Sequence, residues 1–516
     1  MNQNWSNGYV ADLTYSHGYY HELSPPFIRF FLLLNGYANA GDGSPYHYCE
    51  LGYGQGVSAN LHAAANPRGR FWGTDFQPDH ALFAQQLAAQ AGLEADWMAL
   101  GFEQLLDEDL PAFDFITLHG VWSWIHAAGH HAVVEFIRRK LKVGGVVYLS
   151  YNVMPGWSAE KPLRDLLWMH SEQAGAAGAS TATRIRGALA FAERLRRAKA
   201  GYFEHNSKAS QMLDDMQRDD VHVVAHEYFN RSWHLSYFAD VAASLEAAGM
   251  SFACSLHRSD LLGETMQRNR QGELSGLGLS PALQQTTHDF LLNRRFRRDV
   301  FVRGASRLPP GLRDERVKEV ALVLMRPAAA IGSTVQTPYG TVTLDATLTR
   351  RLAAALEAAQ GPRAIGQLIE EADLVSAKLE RVIETIAALV AQGHACPVFA
   401  DDAPHPHAGR GRRMHRATAT RARFDNSLRY LASPVTGQGH EASRSDRLFL
   451  DAWEQGARSA AELAAAVQPY RAVLADDLAA PAGAHDLSAL ESRAAEFMDA
   501  VVPLWRRLGL IEEALA

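Results

Sequence analysis

Between Tyr46 and Tyr151 short apolar runs alternate with amphipathic stretches, and this alternation constrains the fold more than any other feature of the chain. The strand-like runs are Tyr46–Leu51, Arg70–Asp75, Asp96–Leu100, Phe113–His119 and Gly145–Tyr151. Helical patterns lie between them, notably Pro78–Gly92 and Ala132–Leu141. Parallel neighbours need a long crossover, and crossovers of one hand pack back onto the sheet, so the spacing predicts an α/β fold with a parallel sheet. Ser158–Asp220, rich in Ala, Arg, Glu and Leu, reads as a helical insertion. Strand-to-helix order then resumes, with Val221–Phe229 read as a strand and Ser236–Ala248 as a helix stopped by Gly249. Ser251–Arg258 and Arg298–Arg303 read as two further strands around a second mostly helical insertion. The charges at both ends of Asp299–Arg303 suit an edge strand.

At 516 residues the chain exceeds a single core, and about two to four domains are expected. Leu308-Pro309-Pro310-Gly311 breaks the pattern. The expected division is 1–304, with helical insertions at about 158–220 and 260–295, then 305–403 and 404–516. Leu348–Ala359, Ala364–Glu371 and Ser376–Gln392 are helical patterns followed by an apolar run, a winged-helix-like order, and a looser version runs from Ser445 to the end. Six arginines between Arg410 and Arg423 read as a solvated linker in preference to a site for an acidic partner. Net charge −7 argues against a nucleic-acid or membrane partner. Three dispersed cysteines suit a reducing compartment. Phe27–Leu34 contains Arg29 and falls well short of the ~18 residues of a membrane span. With no signal-peptide pattern in Met1–Tyr20, a soluble cytoplasmic protein is expected. His130-His131 and His405-Pro406-His407 lack zinc-site spacing, so no metal is expected.

Glu50-Leu51-Gly52-Tyr53-Gly54-Gln55-Gly56 follows the first strand and precedes a helix. Glycines at such a turn let the backbone approach a ligand closely. A pyrophosphate would be repelled by Glu50, whereas the amino group of a methionine moiety would be attracted. Asp75 ends the second strand, where a carboxylate can accept ribose hydroxyls; capping the next helix is its other use. Phe102 and Glu103 follow the third strand, where an adenine needs an apolar face and an amino-group acceptor. His119-Gly120-Val121-Trp122-Ser123-Trp124 and Ser150-Tyr151-Asn152-Val153-Met154-Pro155-Gly156-Trp157 end the fourth and fifth strands and are expected to line the cleft, one of Trp122 and Trp124 packing inward instead. Together these residues point to S-adenosylmethionine as cofactor and S-adenosylhomocysteine as product.

These motifs resemble the class I methyltransferases that carry a methyltransferase regulatory domain, of which the rickettsial-type protein lysine methyltransferases are the best-known branch. The resemblance extends to His226-Glu227-Tyr228-Phe229 and Arg298-Asp299-Val300-Phe301-Val302-Arg303, and covers roughly residues 9 to 304. It implies an α/β, Rossmann-like seven-stranded sheet with the last strand antiparallel, helical insertions, and mostly α C-terminal winged-helix-like domains. Tyr15-Ser16-His17-Gly18-Tyr19-Tyr20-His21-Glu22-Leu23-Ser24-Pro25 is similar to the family's cofactor-covering segment. A Thr commonly precedes that proline in the lysine branch, and Cys-Ala commonly stands where this chain has Tyr53-Gly54, so the chain resembles a sister subfamily.

The resemblance implies a protein substrate and methyl transfer to lysine by in-line displacement, which depends on alignment. A lysine ammonium, with pKa ~10.4, must first lose a proton, and an apolar aromatic cleft favours that loss by desolvation. Tyr19, Tyr20, His119, Trp122, Tyr151 and Glu227, with Tyr15, are the candidates for orienting the acceptor or taking the proton. Tyr15, Glu50, Gly52, Tyr53, Gly54, Gly56, Asp75, Phe76, Phe102, Glu103, His119 and Gly120 are the candidates for holding the cofactor. The strand-four loop lacks the Asp/Asn-Pro-Pro-Tyr/Phe pattern used for planar amines. A small-molecule O- or N-methyltransferase and, from another class, a non-catalytic cofactor-binding regulator that binds nucleic acid remain alternatives. The oligomeric state is left open, a dimer included.

Overall fold

The computed structural model describes residues 8–10, 12–13, 15, 17–38, 45–174, 178–257, 277–337, 340–399, 409–474 and 487–511. Its centre is a seven-stranded sheet built from β1 (Tyr46–Leu51), β2 (Gly69–Thr74), β3 (Ala95–Met98), β4 (Phe113–Leu118), β5 (Leu141–Asn152), β6 (Met250–Ser255) and β7 (Phe296–Arg303). The strand order is β3-β2-β1-β4-β5-β7-β6. The first five strands are parallel, and β7 lies antiparallel between β5 and β6. Strand order reverses between β1 and β4, so the loops leaving their carboxyl ends diverge and open a crevice.

Helices α1 (Pro25–Leu34), α2 (Val57–Ala65), α3 (Pro78–Ala91), α4 (Phe102–Leu105) and α5 (Ala127–Lys140) precede or connect these strands. The expected insertion forms α6 (Lys161–Gln173), α7 (Thr181–Arg197), α8 (Gly201–His205) and α9 (Ser207–Arg218). Val221–Phe229, expected as a strand, is instead mostly α10 (Val221–Tyr228). Asp220 caps it by accepting from the His222 amide at 2.7 Å, and only Val224, Ala225 and His226 turn fully inward. A short apolar run does not distinguish strand from buried helix, and the cap decides. The helix expected at Ser236–Ala248 is α11 (Phe238–Glu246). Of the second insertion, residues 258–276 lie outside the described region, and Pro281–Leu292 is helical.

The expectation that Asp299–Arg303 forms an edge strand is also overturned, since β7 is interior and β6 takes the edge. The charges are buried there because they pair. Arg297 donates to Asp299 and to Asp289, each at 2.7 Å, and lies 4.4 Å from the Phe238 ring centroid. The Tyr151 hydroxyl donates to the same Asp299 oxygen at 2.8 Å.

Beyond the sheet, β8 (Ala321–Leu324), the hairpin β9 (Thr334–Thr337) and β10 (Gly340–Thr343), and β11 (Arg363–Ala364) alternate with helices Ala346–Ala358, Ile365–Glu371 and Leu379–Ala391, closing with β12 (Ala395–Val398). The order helix, helix, helix, strand is the one read from the sequence. The apolar helix α1 joins this part to the sheet: Phe30 and Phe31 share one buried cluster with Tyr48 and Phe71 on one side and with Leu322, Leu352 and Ile386 on the other. The arginine-rich stretch is a helix, Gly409–Ala422, in place of the expected linker, because Met414, His415, Thr418 and Ala419 give it a buried face. His405-Pro406-His407 lies outside the described residues. The hairpin β13 (Tyr430–Ser433) and β14 (Gln438–Glu441) and further helices follow. No helix among the described residues is long and apolar enough to cross a membrane.

Arg297→Met would leave Asp289 and Asp299 facing each other in a dry interior without their shared cation. Breaking a buried pair in this way costs about 3–5 kcal/mol. Urea denaturation should therefore show a lower midpoint, and an unchanged midpoint would contradict the assignment of this network as a keystone of the sheet.

Candidate active site

A pocket opens where β1, β2 and β4 end. Its lining includes Glu50, Gly52, Tyr53 and Gly54 after β1, Asp75 and Phe76 after β2, Phe102 after β3, and His119 and Gly120 after β4. The turn after β1 is tight because Gly52 adopts φ 76° and a Cβ there would stand 2.4 Å from Val121. Gly56 serves packing instead. It caps α2 at φ 69°, a Cβ would meet that of Ala84 at 2.5 Å, and it does not line the pocket.

Glu50 is buried, and its Oε2 has no hydrogen-bond partner among the described residues. Burial, and then the charge of Asp75, push its carboxyl up to about 8. Such a group is in deficit of one cation. Asp75 is held firmly: its Oδ2 accepts from the Gly54 amide at 2.9 Å, and its Oδ1 from the Gln77 amide at 3.0 Å, with His80 Nδ1 at 3.2 Å. The Asp75 side chain thus ties the β1 loop to the start of α3, whose N-cap residue is Gln77. Tyr53 donates to the Met98 carbonyl at 2.8 Å and packs on Trp97, closing the pocket floor. Phe76 and Phe102, with Ile125, give it an apolar end. Glu103 is half-exposed, lies 3.6 Å from His126 and does not line the pocket.

The N-terminal segment lies across this opening. The Tyr20 amide donates to Ser58 Oγ at 2.9 Å, and the Gln55 side chain donates to the Tyr15 carbonyl at 3.4 Å. From the other side, α10 receives the segment: His226 Nε2 donates to the Leu13 carbonyl at 2.9 Å, and the Val10 amide donates to Asn230 at 2.9 Å. The Tyr20 ring stacks on His119 with centroids 3.9 Å apart. His119 Nδ1 lies 2.9 Å from the Tyr148 hydroxyl, and burial lowers its pKa to about 4, so the imidazole is neutral near pH 7. Tyr15 and Glu227 lie close enough to Tyr20 to act on it electrostatically, and burial raises the Glu227 carboxyl above its ordinary value.

Four expected cleft residues stand elsewhere. Strand alternation sends Tyr148 and Ser150 to the pocket side of β5, where Ser150 accepts from the Gly120 amide at 2.8 Å, and Tyr151 to the opposite face with Asp299. Trp122 is buried under α5, where its carbonyl accepts from His130 at 2.8 Å, while Trp124 lines the pocket. Trp157, in the strand-five loop, packs into the core of the α6–α9 insertion. Tyr19 turns away from its neighbour Tyr20. Its hydroxyl accepts from the Gly439 amide at 2.6 Å, and its ring packs 4.6 Å from Tyr430, both on the β13–β14 hairpin.

The pocket also contains residues that sequence reasoning passed over: Tyr9, Gly18, Gln55, Val57, Ser58 and His80. His80 carried a signal, standing in the first turn of the helix after Asp75. Tyr9 carried none, because only the return of the segment over the pocket brings it there.

The match to known proteins follows the same outline. A methyltransferase-domain family model matches residues 49–147, and the "Predicted methyltransferase regulatory domain" matches residues 220–303. The Synechocystis protein sll1526 is 33% identical over 453 residues, covering 87% of this chain and 88% of its own. The Rickettsia prowazekii protein RP028 is 27% identical over 159 residues, 31% of this chain and 61% of its own. The structure of PKMT2 from Rickettsia typhi in complex with AdoHcy superposes with TM-score 0.66 at 17% identity, covering 95% of this chain and 98% of that one. The chain belongs to the class I S-adenosylmethionine-dependent methyltransferases that carry a methyltransferase regulatory domain. Its cofactor is S-adenosylmethionine. The unpaired Glu50 oxygen and the close-approaching glycine loop fit that cofactor's cationic methionine end.

Tyr19→Phe removes the acceptor of the buried Gly439 N–H, at a cost of about 1–3 kcal/mol. The expected result is a lower denaturation midpoint together with faster release of S-adenosylhomocysteine, although Tyr19 does not line the pocket. Unchanged release would separate the hairpin from the covering segment.

Proposed function

We propose that this methyltransferase acts on lysine side chains of a protein acceptor. The observation that carries the reading is the wall formed by Tyr20 stacked on neutral His119, with Tyr15 beside them on the same pocket. A neutral aromatic wall accepts an alkylammonium through its π faces while stripping it of water, which lowers the pKa of the amine. The likeness in fold to PKMT2 over nearly the whole chain supports a macromolecular acceptor.

When bound, S-adenosylmethionine supplies an electrophilic methyl group on a sulfonium, open to in-line attack. Glu50 holds the methionine ammonium. Asp75, fixed by Gly54 and His80, accepts from the ribose hydroxyls, and Phe76 and Phe102 cover the adenine. Tyr20 and His119 align the acceptor nitrogen. His119, with its pKa near 4, is a poor base, so the role of proton acceptor falls to Glu227, whose carboxyl burial raises above its ordinary value. Residues 305–403 and 404–516 form the two parts that complete the acceptor face around the 1–304 catalytic part.

Incubating the enzyme with methyl-labelled S-adenosylmethionine and a cell lysate, then hydrolysing the protein fraction, should yield labelled methyl-lysines. Label confined to small molecules or to other amino acids would overturn the lysine reading. Glu227→Gln should lower kcat by about 100-fold or more with S-adenosylhomocysteine affinity little changed.

Glu50 sets the pH dependence of cofactor binding. Its raised carboxyl is mostly protonated below about pH 8 and must lose that proton to counter an ammonium. Affinity for S-adenosylhomocysteine should therefore fall about tenfold per pH unit as pH drops from about 8 to 6. In Glu50→Gln the affinity should be lower and this slope absent. By the same linkage the free protein loses stability as pH rises from 4.5 to about 8, where the folded state gives up the extra proton.

A further inference from the structure

One turn along α3 from His80, on the side away from the reaction cleft, a second groove of about 500 Å³ runs between α3 and the helix Gly409–Ala422. Its floor is apolar, formed by Phe83, Leu87 and Leu428, and Phe424 stands at one side with 79% of its surface exposed. Its rim carries Arg413, Arg416 and Arg421 and no acidic side chain.

The three arginines differ in what they have left to give. Arg413 donates to the carbonyls of Ala91 and Gly92, neutralising the negative end of the α3 dipole. Arg421 lies 5.0 Å from the Phe83 ring centroid and bonds Asp425 and Ser427. Arg416 is exposed and has no partner among the described residues. With the helix end already neutralised, the rim keeps a positive potential above an aromatic floor, in a chain whose net charge is −7.

The groove also touches the segment that covers the active site. The His17 ring packs edge-on against Phe83 with centroids 4.9 Å apart, and the Arg421 charge helps depress the His17 pKa. An anion seated on the rim would relieve that depression and bear on the covering segment through Phe83.

We propose that this groove docks an acidic stretch of the protein acceptor that carries an aromatic or large apolar side chain. An anionic group pairs with Arg416, and the apolar side chain lies on Phe83 and Leu428 beside Phe424. The proposal rests on a protein acceptor but not on the identity of its methylated residue. A peptide fits better than a nucleic acid. A phosphate backbone needs a continuous basic track, whereas this rim offers one unpaired guanidinium with Asp425 and Glu94 close by, paired to Arg421 and Arg410.

The test is fluorescence anisotropy of the full chain with a labelled peptide of alternating Glu and Phe, a Gln-for-Glu version of it, and a labelled single-stranded oligonucleotide. The Glu peptide should bind saturably and more weakly as salt rises. Arg416→Glu and Phe424→Ser should each weaken it at least tenfold. Arg350→Glu, at an exposed arginine of the helix Ala346–Ala358 that does not line the groove, should not. S-adenosylhomocysteine affinity should be the same in all. Equal binding of the Gln peptide, binding indifferent to Arg416→Glu, no binding, or a preference for the oligonucleotide would each overturn the proposal. If the label in the lysate experiment falls on residues other than lysine while Arg416→Glu still weakens the peptide, docking stands and the lysine reading falls.

Discussion

Two buried carboxylates, Glu50 and Asp75, meet at the carboxyl ends of adjacent strands, and the rest of the site is arranged around that unfavourable pairing. Asp75 is stabilised by the Gly54 and Gln77 amides and by His80, which the β1 turn and the start of α3 bring to it. Glu50 keeps an oxygen without any donor. A buried unpaired acceptor is destabilising unless a ligand completes it. In the proposed reading that ligand is the cationic end of the cofactor, so the same interaction that strains the free protein would make the bound state selective.

Among its described residues the covering segment has no helix or strand before His21, and three different parts of the chain hold it. Ser58 and Gln55 beside the β1 loop, His226 on α10 with Asn230 just after it, and the Gly439 amide of the β13–β14 hairpin each make a hydrogen bond to it. Gly439 admits no side chain, since a Cβ would stand 2.8 Å from the Tyr19 ring. The regulatory-domain region and the C-terminal part thus hold the segment that covers the pocket, and none of their described residues lines it.

The alternation of strands and helices made the sheet legible, and the E-x-G-x-G-x-G loop with Asp75 marked the end of the sheet where the pocket opens, because both depend on local periodicity and on residue types at strand ends. What was not legible depends on parity or on distant partners. Tyr151 and Tyr148 differ only in which face of β5 they occupy, and the sequence does not say which face meets the crevice. Trp122 and Trp124 sit two residues apart on one short turn, and only the packing of α5 separates them. Tyr19 and Tyr20 are adjacent, yet one keys the hairpin and the other stacks on His119. Val221–Phe229 was read as a strand because eight or nine apolar-rich residues satisfy either period, and the Asp220 cap carried the answer. The charges of β7 pointed outward on composition, yet Asp289, eight residues before Arg297, allows them to be buried.

The central claim is that Glu50 and Asp75 hold a cationic nucleoside cofactor under the Tyr15–Tyr20 cover. A crystal structure of the enzyme with S-adenosylhomocysteine tests it most directly. The account expects the amino group against the unpaired Glu50 oxygen, ribose hydroxyls on Asp75, and the sulfur facing the stacked Tyr20 and His119. A ligand bound elsewhere, or bound here with its amino group away from Glu50, would contradict it.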